Sequence, residues 1–286
     1  IETFSEKDYH LLEPWIQWTT IHTGKSFNEH KVLRLGDIVD RKDLSQIFEE
    51  LESKGKSIGA ISPFNVDNRL DNPLFFIPDP WTKTKCSGNF MVRAIYNAIH
   101  QAVNDNSSGK LKLKSILGLV LGFVRYVPLN RYFHYFKRIL NISKPGNKAI
   151  ILDSLLSDVF ISLFNSTRPD FSNLFLNSGA HIQHHYMFNS DAYKGSLKNP
   201  DWYCPKGFDP LLGILKEYDN TLSRLLKIPN LKIIIATGLH QEAHEKLTFY
   251  WRLKDHNSFL NSIGLDFYTK VLPRMSRDFL INFKNN

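Results

Sequence analysis

Cysteine is nearly missing from this chain. Its 286 residues include only Cys86 and Cys204, which are too few and too far apart for a disulfide framework or a thiolate zinc site. That usage suits a reducing cytoplasm. No apolar run reaches the roughly 18 residues needed to cross a bilayer, and no signal-peptide pattern is present. There is no Walker loop, no GxGxxG after a strand, no GxSxG elbow and no zinc-finger spacing. Internal repeats and low-complexity tracts are also lacking. These absences leave a globular protein whose expected location is cytoplasmic, with at most peripheral membrane contact.

Acidic residues are in deficit. Thirty-six Lys and Arg against 28 Asp and Glu give a net charge of +8, which favours anionic partners. The charge is spread along the chain rather than gathered on one motif, and this argues against nucleic-acid binding. Aromatics make up 13% of the residues, enough for a large core or for pockets the size of a sugar or base. The partner expected is therefore an anionic small molecule or a glycan.

The hydrophobic pattern alternates. Leu44, Ile47, Phe48 and Leu51 in KDLSQIFEELESKG (42–55) have helical spacing, with Gly55 as a stop. Short strands are predicted in KSIGAISPF and in NPLFFIPDPW (72–81). A long helix is predicted over 148–169, a strand in FSNLFLNSG, a surface loop over 189–209 and an amphipathic helix over 209–227. LKIIIATGL (231–239) reads as the strongest strand of all. The tail reads as a helix followed by shorter elements. This rhythm predicts an α/β fold with a largely parallel central sheet. Residues 111–142 are basic, aromatic and apolar, broken at Pro128, and read as a helical insert within 104–147. A buried helix pair or lid is the expectation. The alternative is a helix pair lying on an anionic membrane surface through Lys110, Lys112, Lys114, Arg125, Arg131, Lys137 and Arg138.

FLNSGAHIQHHYMFNSD (175–191) holds His181, His184 and His185 just beyond a predicted strand. His240 and His244 follow the strand predicted over 231–239. Ligands collect beyond the carboxyl ends of parallel strands, so these residues are expected to share one pocket. His181 with His184 (i, i+3), or with His185 (i, i+4), would face one ion if the segment turns helical, and His240 or His244 would complete a three-nitrogen zinc site. That metal set is His181, His184 and His244, holding one divalent ion, zinc, or else no cofactor. In a metal-free reading, an imidazole of His181, His184 or His240 acts as general acid or base. Arg252, Arg274 or Arg277 then grips an anionic substrate. Trp15, Gln17, Trp18 and His185 are further candidate substrate contacts, and Thr20 stands with Thr19 and Thr23 as an available hydroxyl.

The order of elements resembles the alkaline phosphatase superfamily, in particular its nucleotide pyrophosphatase/phosphodiesterase-like branch. WTTIHTGKSFNEHKV (18–32) resembles a family segment with TG and a later His, matched by Thr23, Gly24 and His30. LFFIPDPW, NLFLNSGAHIQHH and YDNTLSRLLKIPNLKIIIATG resemble the strand and helix–strand pieces that follow. The resemblance implies a three-layer α/β domain spanning 1–286. It also implies a hydrolase or group-transferase acting on a phosphorylated or sugar-linked anionic substrate. Several motif positions differ. Pro14 stands where the family's nucleophile would be, and Ala180 or His181 where a ligating Asp would be. Thr237-Gly238 stands in place of an Asp-His pair. Only thirteen residues precede Pro14, so the family's first strand, which carries another Asp, is expected to be missing. Lost carboxylates remove hard-ion ligands. The resemblance thus leaves open a catalytically inactive relative that binds a glycan, a membrane surface or a protein partner.

Overall fold

A computed structural model describes residues 6–104, 112–237, 240–249, 251, 253–273 and 279–283. The chain is mixed α/β, with a small parallel sheet, a small antiparallel sheet and helices around them. α1 (Pro14–Thr23) begins at a proline whose fixed φ suits the first helical position and ends at Gly24 in the left-handed region. α2 (Phe27–His30) is set by a Ser26/Glu29 capping box. α3 (Ile47–Ser53) starts three residues later than its apolar spacing, which begins at Leu44, suggests. Gln46 and Glu49 form the capping box there, which leaves Leu44 buried in the preceding irregular chain.

The parallel sheet has the order β2-β1-β3. β1 (Ile58–Ile61) is central and wholly buried, and pairs with β2 (Phe75–Ile77) on one side and β3 (Phe171–Leu174) on the other. Continuous apolar runs such as these fit a sheet covered on both faces. Gly59 is required in β1: a Cβ there would sit 2.4 Å from the Phe75 ring.

Between β2 and β3 the chain runs through α4 (Phe90–Asn104), α5 (Leu113–Tyr126), α6 (Tyr132–Leu140) and α7 (Asn147–Thr167). α7 is long and apolar enough to cross a membrane, with a mean hydropathy of 1.5, but 67% of that window is buried inside the protein. It is the core helix: Leu155, Val159, Phe160 and Phe164 join Phe75, Ile77 and Ile95 in the main cluster. α8 (Ser178–Tyr186) follows β3, and α9 (Pro210–Leu225) begins at an Asp209 N-cap with proline next to it. Ile150, Ile182, Leu211 and Ile214 join α7, α8 and α9 in a second cluster. The tail forms α10 (His256–Ser262) and a hairpin of β4 (Tyr268–Pro273) with β5 (Phe279–Phe283).

Two expectations are corrected. Residues 231–237 form no strand: Ile234 is 93% and Ile235 67% exposed. β-branched residues favour a pleated, half-buried surface only where a neighbouring strand supplies one, and 231–237 joins no sheet. Residues 238 and 239 lie outside the described residues. The helix pair at 113–140 exists and breaks beside Pro128, but it is not a buried pair. α5 packs Gly118 and Gly122 against Ala94 and Ile95 of α4 and sets Leu119, Phe123 and Tyr126 on the main cluster, while Leu113, Ile116, Leu117, Val120 and Val124 face outward.

Candidate functional site

The carboxyl ends of β1 and β2 are occupied by a tightly bonded loop pair. After Ile61 the chain turns through Ser62 (φ 56°) and Asn65 (φ 55°), a region that residues with side chains seldom adopt. Asn65 is held by its partners. Its side-chain oxygen accepts from Gly36 N (2.8 Å), and its amide donates to Trp15 O and Thr19 Oγ1 (both 3.1 Å). Its backbone N donates to Asp79 Oδ2 (2.8 Å). Asp79, wholly buried, also accepts from Trp81 N, Thr82 N and Thr82 Oγ1. Burial raises its pKa against these bonds. Both carboxylate oxygens are thus committed to turn formation, and the Pro-Asp turn serves to lock α1 onto the sheet.

The α1 candidates are drawn into the same packing. Trp15 Nε1 donates to Leu33 O (2.8 Å) and Gln17 Nε2 to Leu11 O (2.9 Å). Trp18 is buried, stacked on His22 at 5.7 Å and edge-on to Phe175 at 5.0 Å. The polar atoms of Trp15 and Gln17 therefore hold the chain together rather than face a cleft. Thr20 Oγ1 lies 3.2 Å from His30 Nε2. Val32 N donates to His30 Nδ1 (3.0 Å), so Nδ1 is the acceptor nitrogen and the neutral ring carries its proton on Nε2. Burial lowers the His30 pKa and favours that neutral form. Nε2–H consequently donates to Thr20, the reverse of the direction needed to activate a nucleophile.

The histidines of α8 are arranged differently. β3 ends at Leu174, and α8 starts where Ser178 N donates to Asp153 Oδ2 (3.0 Å) and Ser178 Oγ to Ala149 O (2.9 Å). Tyr218 closes this anchor, donating to the same Asp153 oxygen at 2.7 Å and accepting from Gly179 N at 2.8 Å. Ile182 is fully buried, so His181, His184 and His185 fall on the outward side. The rings of His181 and His185, one turn apart, lie 4.7 Å from each other. Although accessible at the surface, His181 is shielded by its neighbours. That shielding, with His185 and His184 beside it, pushes its pKa down to about 4. Partial burial also lowers the pKa of His184, with a smaller contribution from His244. Both imidazoles are neutral at pH 7.

A row of aromatic residues continues from these histidines. His185 Nδ1 is 2.6 Å from Tyr203 Oη. Tyr203 packs on Tyr186 (5.5 Å) and Phe249 (5.1 Å). Phe249 meets Trp202 (5.1 Å), which stacks on Trp251 at 5.9 Å and 20°. Trp202 is 65% and Trp251 76% exposed, so both offer an indole face to solvent. Burial pushes the Tyr203 phenol up to about 12, and it stays protonated. The sequence contained a signal for this wall: DWYC (201–204) and FYW (249–251) put adjacent large aromatics into otherwise polar chain, where they have no core to enter.

The structure thus brings His181, His184 and His185 together, with His244 near His184. It does not bring Thr20, Trp15, Gln17 or Trp18 to them as presented groups. His240 lies on an exposed segment, 3.7 Å from Glu242 with both side chains more than four-fifths exposed. Arg252, Arg274 and Arg277 lie outside the described residues. No group of three His, Cys, Asp or Glu able to hold a metal occurs among the described residues, so the zinc set of His181, His184 and His244 is not assembled there.

A shallow cleft of about 600 Å³ lies elsewhere, lined in part by Asn130, Arg131, His134, Asn220, Arg224 and Lys227. Arg131 is engaged by Glu217 (2.6 Å), Asn220 and Asp158, and Arg224 by Asp158 (2.5 Å). Burial opposes ionisation of Glu217, but the His134 and Arg131 bonds outweigh it and hold its pKa down at about 2. The two guanidinium groups there are committed to ion pairs, which makes the cleft a structural network. Searches against family models, curated proteins and solved structures found no match to this chain.

Proposed function

We propose that this chain is a hydrolase or group-transferase that takes a sugar-linked or phosphorylated anionic substrate at the outward face of α8. The observation that carries the reading is the continuous surface from His181 through His185 and Tyr203 to Trp202 and Trp251. Exposed indole faces suit the apolar face of a sugar ring. Neutral imidazoles beside them suit proton transfer, and the net charge of +8 draws an anionic substrate toward the protein as a whole. In this reading His184 takes a proton as general base. Tyr203 orients His185, and Trp202 and Trp251 seat the sugar. The parallel order of β1–β3, with α8 following β3, supports an alkaline phosphatase-like α/β domain of the phosphodiesterase branch, one whose metal and nucleophile positions have been replaced.

Turnover of aryl phosphodiesters, phosphomonoesters and glycoside phosphates by the purified chain tests the reading. His184→Ala should lower kcat by about a hundredfold, and Trp202→Ala should mainly raise KM. Unchanged turnover in His184→Ala refutes the assignment. One observation favours a second reading, a glycan-binding protein without turnover: the Thr20–His30 pair runs in the unproductive direction. Glycan binding that Trp202→Ala and Trp251→Ala weaken, with no turnover of any ester, would select it.

A further inference from the structure

The pair α5–α6 carries two features with no part in the α8 site. The first is its apolar exterior. On α5, Leu113, Leu117, Val120 and Val124 recur at helical spacing and are 52–82% exposed. The packed face is made by Gly118 and Gly122, so close to α4 that a Cβ on Gly122 would lie 2.4 Å from Ile95, together with Leu119, Phe123 and Tyr126 on the main cluster. α6 repeats the pattern with Phe133, Phe136 and Leu140, each more than half exposed, and Leu129 in the turn is 80% exposed. A helix that is apolar on its solvent face as well as on its packed face departs from the usual soluble arrangement.

The second feature is charge. The even spread expected of the charge does not hold: from residue 106 to residue 152 the sequence has no Asp or Glu, while it has Lys or Arg at 110, 112, 114, 125, 131, 137, 138, 144 and 148, nine positive charges against a net +8 for the whole chain. Arg131 is consumed by Glu217 and Asp158, and Arg138 is bonded to Asn147. Lys112, Lys114, Arg125, Lys137 and Lys144 are exposed around the apolar stripes. A second copy of the chain would bring one all-basic face against another. Nucleic acid would gain nothing from the leucine and phenylalanine side chains.

We propose that α5–α6 docks this protein onto an anionic lipid bilayer, lying in the interface with its leucine and phenylalanine faces among the upper acyl chains and its lysines at the headgroups. The geometry opposes a span. The two helices bend by 117° at Pro128, and the 14 residues of α5 reach only ~21 Å against a hydrocarbon core of about 30 Å.

Flotation of the full chain with vesicles tests this. Binding to phosphatidylcholine mixed with phosphatidylglycerol should exceed binding to phosphatidylcholine alone by about tenfold or more, and should fall with added salt. Phe133→Ser with Phe136→Ser, both at exposed positions, should reduce it by a similar factor without changing the melting temperature. Lys112→Glu with Lys114→Glu should do so independently. Failure to float with anionic vesicles, or equal binding to both compositions, overturns the proposal. So does undiminished binding of either variant. Concentration-dependent self-association that the Phe variant abolishes, with no flotation, would assign the face to a second copy instead.

Discussion

Acidification should weaken this fold through His22, by an amount that follows from its surroundings. The ring is 4% exposed, lies between Trp18 and Phe48, and has an Nε2 atom with no hydrogen-bond partner. Its remaining polar link is a hydrogen bond to the Phe64 backbone. Burial dominates and pushes its pKa from 6.5 to about 4. A lowered folded pKa means that the unfolded chain binds the proton first. Stability is therefore intact above 6.5 and is lost as pH falls toward 4. Between pH 7 and about pH 4.5 this amounts to about 2.5 kcal/mol. Asp153 opposes it: burial raises its pKa to about 6, so its penalty exists above that value and is relieved on acidification. The wild-type slope alone mixes these two effects with those of His30, His181 and His184, whose pKa values are also lowered.

The comparison that isolates His22 is urea unfolding of wild type and His22→Phe at matched pH values from 7 to 4.5. Any repacking cost of the phenyl ring is independent of pH and shifts one curve as a whole. The gap between the curves should close or reverse by about 2.5 kcal/mol on acidification. Parallel curves would refute the reasoning, because they would mean that His22 titrates equally in folded and unfolded chains.

Two further outcomes follow from packing. Arg131→Ala leaves Asp158 to Arg224 and Tyr135 and leaves Glu217 to His134, and should cost about 2–3 kcal/mol in chemical denaturation, less than a fully stranded charge would; a change below about 1 kcal/mol contradicts the buried network. Gly59→Ala drives a methyl group into the Phe75 ring at 2.4 Å and should cost about 1–3 kcal/mol, visible as a lower melting temperature with helix content retained.

Much of the scaffold is legible in the sequence where local signals and tertiary packing agree. β1 and β2 are short apolar runs bounded by turn residues, and both are buried as strands. α9 has Asp209 and Pro210 at its start, and begins there. The histidines at 181–185 do lie just past a strand end, on α8. The expectation for 231–239 failed because a run of isoleucines specifies extended chain only if a neighbouring strand exists to pair with it, and single-chain pattern cannot reveal that. At α5 the pattern revealed an apolar helix but not which face packs: close approach at Gly118 and Gly122 brings Leu119, Phe123 and Tyr126 to the core and leaves Leu113, Leu117, Val120 and Val124 outside. Trp202 and Trp251 went unassigned because they are 49 residues apart in the chain, and only the fold stacks them.

Imidazole NMR during titration with an anionic glycan tests the central claim most directly, since it sees the histidines whether or not turnover occurs. His181, His184 and His185 should shift together with one affinity, Trp202 and Trp251 indole signals should move in step, and the buried rings of His22 and His30 should stay fixed. Shifts confined to other regions, or movement of His22 and His30 without the α8 histidines, would contradict the site on α8.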